Sequence, residues 1–371
     1  MKLRINTKHL HKILSILLKG VSTKVPVPIL ENFLIEVNNG SLRIMSFDNE
    51  VAISAEVETL EIQGNGSFAV PAKILASLIS AMQEGEIEFN YNTGDTFITC
   101  SWESGNSTMP VFDSNDFPRP KKLSDTVEMA NFSQAFLKDA LTRTTQATGQ
   151  LGESKPMLSG VVFELRKDGT TLVASDTKVM VCVESPVTGD ARFTLPQKAS
   201  NILKNLLEKN HDVELRTDGT VAEFKVGSYT VSSLLILQKY PNWANIIPTS
   251  NPNVLIVKRK DFAAAVKRIM VCTNAASKTL QVKLTYNEMQ IIGQDLGYNI
   301  TAQETMTCEY DGNDINVGFR APSLLLLLEN MLCEDVEISF KSPKNAVLIK
   351  PYGEQYKDEP VKSVIMPMVV G

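Results

Sequence analysis

The chain has 371 residues, 43% hydrophobic and 21% charged, with 37 basic and 42 acidic side chains for a formal net charge of −5. This composition excludes a largely disordered chain, and the length exceeds one ordinary core, so two or three domains are expected. No apolar run approaches the roughly 20 residues of a membrane helix, and the alternating start Met1-Lys2-Leu3-Arg4-Ile5-Asn6 lacks a signal-peptide core. A cytoplasmic protein without a membrane partner is expected.

In chain order, Thr7 to Lys19 predicts the first helix, with Leu10, Ile13, Leu14, Leu17 and Leu18 on one face and Lys8, Lys12 and Lys19 on the other. Strands follow at Phe33 to Val37, Leu42 to Phe47 and Val51 to Val57, punctuated by Asn39-Gly40 and Asp48-Asn49. A second helix starts at Pro71, because proline suits a first turn whose amide has no partner anyway. Glu86 to Tyr91 and Thr96 to Trp102 form a further hairpin. The order then recurs, with turns at Asp168-Gly169, Asp218-Gly219 and Asp311-Gly312.

The recurrence is periodic. Val70-Pro71-Ala72-Lys73, Leu195-Pro196-Gln197-Lys198 and Ala321-Pro322-Ser323-Leu324 each open a helix, and their prolines stand 125 and 126 residues apart. A strand follows each helix: Ile87-Glu88-Phe89, Val213-Glu214-Leu215 and Val336-Glu337-Ile338. A strand ending in aspartate precedes each, at Asp48, Asp176 and Asp295. Proline-rich, polar stretches around 118–126 and 248–253 read as linkers, so the expected domains are 1–124, 125–249 and 250–371. Each is an α+β domain, two helices packed on antiparallel sheets.

Charge is unevenly shared. The six predicted helices sum to +11, which leaves −16 for the rest of the chain. Lysine and arginine concentrated on one layer, without reading loops, suit the phosphate backbone, where affinity comes from counterion release and carries no sequence information. The helix after Pro322 is neutral, and its Leu324 to Leu328 run reads as core.

Catalytic signatures do not occur: there is no phosphate-binding P-loop, no dinucleotide-binding glycine turn, no zincin helix and no nucleophile elbow. Three histidines leave little general base, and His9 and His11, two apart, point to different faces of a helix. Cys100, Cys182, Cys272, Cys308 and Cys333 lie far apart, which argues against disulfides and zinc and for small buried hydrophobes. No enzyme activity, metal or cofactor is expected. One alternative casts Asp48, Asp176 and Asp295 as the carboxylates of a repeat-built enzyme of nucleic-acid metabolism, although aspartates at strand ends ordinarily cap their own turns. Another is an acidic interaction scaffold.

Several segments carry a resemblance: Pro28-Ile29-Leu30-Glu31-Asn32-Phe33, Val70-Pro71-Ala72-Lys73, Asp116-Phe117-Pro118, Tyr240-Pro241-Asn242-Trp243 with Ile246-Ile247-Pro248, and Val364-Ile365-Met366-Pro367-Met368. In order and spacing the chain resembles the bacterial sliding clamp, the beta subunit of DNA polymerase III, from Met1 to the C-terminus. The resemblance implies a head-to-tail homodimer forming a six-domain ring around duplex DNA. Its implied partners are the DNA polymerase III alpha subunit, an ATP-driven clamp loader and other clamp-binding proteins that dock a short linear motif.

The resemblance places Lys24 in a DNA-facing loop, and the helix charges add Lys12, Lys73, Lys198, Lys204, Lys267 and Arg268 to the lining of the hole. It puts Ser107 and Met109 against Val271 and Cys272 at the dimer interface, without the aromatic usual at the first position. A hydrophobic peptide cleft falls on Leu158, Ser175, Thr177, Lys178, Met180, Pro241, Ile246, Ala346, Val364, Ile365, Met366, Pro367 and Met368. Two methionines there suit a pocket that accepts many partners. The run Ser175-Asp176-Thr177-Lys178-Val179-Met180 departs from the usual Thr-Asp-Gly-His-Arg-Leu.

Overall fold

The computed structural model describes residues 1–21, 27–125, 127–150, 152, 155–208, 212–356 and 360–369. They form two compact units, Met1–Lys138 with Lys198–Leu235 and Asp139–Gln197 with Ile236–Gly371. The architecture is α+β, with three clamp-type repeats of helices and antiparallel strands.

In the first unit α1 (Thr7–Leu17) follows strand Lys2–Asn6 directly, and the Asn6 side chain accepts the His9 amide at 3.1 Å to close the first turn. Leu10, Ile13, Leu14 and Leu17 are buried, four of the five residues of the predicted stripe, while Leu18 is half-buried in the 3-10 turn Leu18–Gly20 that follows, and the helix packs on α2 (Ala72–Ala81). Pro71 ends strand Gly66–Pro71 and caps α2 in extended backbone, with ψ 109°, one position earlier than expected. The remaining helices are α3 (Gln134–Thr145), α4 (Gln197–Leu206), α5 (Arg259–Met270) and α6 (Ala321–Glu329). Pro196 repeats the Pro71 arrangement ahead of α4, whereas Pro322 lies inside the first turn of α6, as proline's missing amide allows. Leu324, Leu325, Leu327 and Leu328 of α6 are buried on nearly all sides, which accounts for its lack of charge.

Each unit holds one nine-stranded antiparallel sheet. In the first, Phe112–Asp113, Gly66–Pro71, Asn32–Asn38, Ser41–Phe47 and Val51–Val57 continue into Tyr229–Leu234, Val221–Val226, Asp212–Thr217 and Glu128–Ser133. In the second, Ala191–Pro196, Gly160–Arg166, Gly169–Ser175 and Val179–Ser185 continue into Val361–Ile365, Val347–Tyr352, Asp335–Phe340, Asn253–Lys258 and Glu309–Tyr310. Strands from different repeats therefore bond directly, Ile53 opposite Val231 in one unit and Met180 opposite Val364 in the other. Smaller sheets complete the units, five strands in the first and four in the second.

Two of the segments that carried the resemblance meet in the core of the first unit. Leu30 and Phe117 are fully buried and pack with Leu34, Met45 and Phe47. Burying a leucine or phenylalanine side chain contributes about 1.5–3 kcal/mol, so this cluster ties the Pro28 turn to the sheet.

Three hairpin turns share one construction. Asp48, Asp176 and Asp218 each accept at Oδ1 the amides of the second and third following residues, ending on Val51, Val179 and Val221. The intervening residue is left-handed: Asn49 at φ 75°, Thr177 at φ 79° and Gly219 at φ 79°. Asp218 accepts in addition from the Thr220 hydroxyl and the Ser124 amide. Burial opposes its charge, but the amides of Val221, Thr220 and Ser124 win and hold its carboxyl well below the ordinary range. A depressed carboxyl stabilises the fold fully above its unfolded pKa of about 3.9, and that stabilisation is lost as pH falls through the lower folded value. We expect Asp218→Asn to cost about 1 kcal/mol at pH 7, with the gap to wild type shrinking below about pH 4 in pH-resolved urea unfolding. A gap that stays constant with pH would refute the assignment.

Candidate functional site

The residues expected to form a cleft all belong to the second unit. Strand Val361–Ile365 lies between Val179–Ser185 and Val347–Tyr352, so Val364 stands opposite both Met180 and Leu348. Beneath it Leu158, Met180 and Val364 pack with Tyr240 and Trp243, flanked by Met157, Ile247 and Ala346. The Trp243 indole donates to Glu164 Oε2 at 2.8 Å, which satisfies its only polar atom. Past the strand, the Met366 amide donates to Lys178 O and the Met368 amide to Gly318 O, both at 2.8 Å. These bonds draw the tail across the turn that carries Thr177 and Lys178.

The thirteen expected positions thus divide by exposure. Leu158, Ser175, Met180, Val364 and Ile365 are buried supports, Ala346 and Pro367 are half-buried, and Thr177, Lys178, Pro241, Ile246, Met366 and Met368 face solvent. Ser175 Oγ donates to Val179 O and accepts the Thr177 amide, holding Thr177 in a left-handed conformation that β-branched residues rarely adopt. Burial pushes the Cys182 thiol beside this cluster up to about 12, and the Cys100 thiol in the first unit likewise, so both are inert packing groups at neutral pH.

Sequence reasoning missed the polar neighbour of the cleft. A cavity of about 470 Å³ opens beside the Asp176–Val179 turn, lined also by Gln146, Gln150, Lys155, Arg320 and Ser323. No motif marks these residues. The only available signal was a basic residue placed directly ahead of the Ala321-Pro322 helix start.

The helix cations behave unequally. Lys12 pairs with Glu208 at 3.4 Å, Lys267 with Glu329 at 2.5 Å and Arg268 with Glu304 at 2.5 Å. Lys198 pairs with the nearly buried Asp48. Lys73 and Lys204 have no ion pair among the described residues. Burial pulls the Lys204 pKa down, and that of Lys198 likewise. Lys24 lies outside the described residues.

The carboxylates of the alternative enzyme reading are committed elsewhere. The Oδ1 atoms of Asp48 and Asp176 close their own turns, Asp48 Oδ2 holds Lys198, and Asp295 accepts the Gly297 amide.

Comparison with known proteins points one way. Family models of the DNA polymerase III beta subunit match in tandem: the N-terminal domain over residues 1–121, the central domain over 131–242 and the C-terminal domain over 244–369. The chain belongs to the DNA polymerase III beta subunit family. The beta sliding clamp of Synechocystis sp. is 25% identical over 95% of this chain and 96% of its own length. That of Vibrio cholerae is 25% identical over 99% and 100%. Among solved structures, a Pseudomonas aeruginosa sliding clamp superposes with a TM-score of 0.94 at 20% identity, and a Thermotoga maritima beta subunit with 0.90 at 21%, each over 100% of both chains. A further P. aeruginosa clamp, TM-score 0.93 at 20% identity over 100% of both chains, was solved bound to griselimycin.

In this beta-subunit chain two of the four expected interface residues sit on an open sheet edge and two follow a helix. Ser107 and Met109 lie on Gly105–Pro110, which among the described residues pairs only with Phe97–Trp102. Met109 is buried in its own unit, so Asn106, Thr108 and Pro110 are the exposed side chains of that strand. In the other unit Val271, 81% exposed, and the half-buried Cys272 follow α5. There Ile300–Thr307 is likewise bonded on one side only, and Leu296 and Tyr298 project from the turn before it.

Proposed function

We propose that the chain is a DNA sliding clamp, a processivity factor without enzymatic activity that works in the bacterial cytoplasm. Two copies join head to tail into a ring around duplex DNA, and partners dock in the cleft on the second unit. The observation that carries this reading is the tandem of three beta-subunit domains, with an open strand left in the first third and another in the last. An open strand invites uncontrolled pairing unless it is covered, and a head-to-tail second copy covers both at once. We assign the domains to 1–124, 125–249 and 250–371 and the interface to Ser107, Met109, Val271 and Cys272.

DNA is held through the helix cations Lys12, Lys73, Lys198, Lys204, Lys267 and Arg268, together with Lys24. Lys73 and Lys204 contribute most, because a phosphate there displaces no carboxylate. Thr177, Lys178, Pro241, Ile246, Met366 and Met368 form the contact rim for short peptide motifs of the DNA polymerase III alpha subunit, the clamp loader and other partners. Leu158, Ser175, Met180, Ala346, Val364, Ile365 and Pro367 support it.

Topology is the test. Light scattering on the purified protein is expected to give a dimer near twice 40.9 kDa. Loaded onto nicked circular duplex by a bacterial clamp loader, the dimer is expected to stay bound in 0.5 M salt, about five times the ionic strength at which the Debye length is already near 10 Å, and to leave once a restriction enzyme linearises the circle. Equal retention on circular and linear DNA, or a monomer at micromolar concentration, would overturn the ring.

A further inference from the structure

We propose that Glu84, Glu208 and Glu329 are tethered stand-ins for the DNA phosphate: each receives a helix lysine between two phosphate contacts, so the ring holds loosely and moves with little friction. The inference rests on the reading of the helix cations as the DNA-holding layer and adds to it the residues that limit the hold. The three glutamates recur 124 and 121 residues apart, in step with the repeat. Each stands at or just past the end of the second helix of its repeat: Glu84 three residues beyond α2, Glu208 two beyond α4, and Glu329 as the last residue of α6. Each pairs with a lysine of a leading helix, Glu84 with Lys8 at 3.1 Å, Glu208 with Lys12 at 3.4 Å and Glu329 with Lys267 at 2.5 Å.

Folding does not account for these acids. The end of a helix carries a partial negative charge, so a carboxylate there is unfavourable and a cation favourable, yet the last turns of α2 and α6 hold no basic residue. All six paired side chains are more than half exposed, and pairs so exposed add little to stability. The chain nevertheless holds the carboxylates in place. In each repeat the opening residue of the leading helix clasps the end of the second helix or the residues just after it. Thr7 Oγ1 accepts the Gly85 amide at 3.0 Å, Gln134 Oε1 accepts the Glu208 amide at 2.7 Å, and the Arg259 guanidinium donates to Leu328 O at 3.3 Å. Arg268 and Lys198 stand outside this pattern, because their acids lie on the strand Ile300–Thr307 and in the Asp48 turn.

The effect follows from competition. A lysine that neutralises a DNA phosphate releases a condensed counterion, and that release supplies the affinity. A lysine beside its own carboxylate must first part from it, and the carboxylate left behind repels the incoming phosphate. Because the competitor is on the same chain, dilution does not lower its effective concentration. When the duplex advances by one phosphate, the ammonium returns to its glutamate instead of standing bare, which lowers the barrier between neighbouring contacts. Lys73 and Lys204, with no ion pair among the described residues, keep an undivided hold.

The test sets a helix-end triple variant, Glu84→Gln, Glu208→Gln and Glu329→Gln, against a control triple of the same charge, Glu58→Gln, Glu128→Gln and Asp190→Asn. The control acids are exposed, lie off the six helices and have no ion pair among the described residues. Fluorescence anisotropy with a short labelled duplex reads binding of the full-length protein from about 50 to 200 mM salt, and single-molecule tracking of clamps loaded on stretched DNA reads sliding. At the low-salt end the helix-end triple is expected to bind about tenfold more tightly than wild type, roughly twofold for each exposed pair removed. Its salt slope is expected to steepen by about two to three, and its diffusion along DNA to slow. The control triple is expected to stay within about twofold of wild type, because screening confines a charge to its own neighbourhood. Equal tightening by both triples would reduce the effect to net charge and overturn the inference. So would a helix-end triple that binds and slides like wild type, while the ring would still stand on its retention by circular DNA. A melting temperature lowered by more than about 5 °C in the helix-end triple would make the pairs structural and overturn the inference too. A wild type that neither binds the duplex nor stays on circular DNA would overturn the DNA reading itself, and the inference with it.

Discussion

Replacing Met366 and Met368 together by alanine is expected to weaken peptide binding at least 100-fold, about 3 kcal/mol, while the dimer and the fold persist. Both side chains lie past the last strand at about 40% exposure, so their truncation leaves no sealed cavity. Their backbone remains pinned, because the amides of both residues bond to Lys178 O and Gly318 O whatever side chain they carry. What is lost is a pair of flexible, polarisable, exposed groups just past the strand whose Val364 packs with Leu158 and Met180, groups suited to an apolar peptide side chain. Fluorescence anisotropy with a labelled glutamine-leucine-type hydrophobic peptide and light scattering on the same preparation check the outcome. Dissociation of the dimer, or a melting temperature lowered by more than about 5 °C, would mean that these residues are core.

Lys198→Ala is expected to destabilise the protein by about 2 kcal/mol, whereas Lys73→Ala and Lys204→Ala change stability by less than about 0.5 kcal/mol. Asp48 has a side chain only 3% exposed, and its Oδ2 takes Lys198 while Oδ1 holds the amides of Glu50 and Val51. Removing the ammonium strands a buried carboxylate. The cost lies below that of breaking a fully buried pair because the lysine side chain is 42% exposed, which leaves water access to the site. Urea unfolding of the three variants measures the difference. Salt-dependent DNA retention is then expected to fall for Lys73→Ala and Lys204→Ala in fully folded protein, whereas any loss in Lys198→Ala mixes unfolding with lost contact. Equal stability of all three variants would show that Asp48 is held by its turn alone.

The repeat was legible because its marks are local. Pro71, Pro196 and Pro322 stand at strand-to-helix joints, and Asp48 and Asp176 close turns through their own following amides, so short-range chemistry wrote a visible period. The expected cleft positions came from resemblance, and their division into buried and exposed residues could not be read from the sequence. Leu158 and Ile246 look alike as letters, and only strand register and the packing of Tyr240 and Trp243 bury one and expose the other. Charge on the helices was countable, yet which cations are free was invisible. The pairing of Lys198 with Asp48 joins residues 150 positions apart, and that of Lys12 with Glu208 spans almost 200. The polar cavity went unnoticed for the same reason: Lys155, Lys178 and Arg320 belong to three separate segments brought to one hollow by the sheet.

The two nine-stranded sheets carry one more implication. In each, a seam of backbone hydrogen bonds joins strands of different repeats, Val51–Val57 with Tyr229–Leu234 and Val179–Ser185 with Val361–Ile365. The sheet, not the repeat, is therefore the unit expected to melt together. Mutational damage to the middle module reaches both halves of the protein, and a library of excised single modules would sample raw seams rather than autonomous parts. Grafting between relatives should exchange whole sheets, not whole repeats.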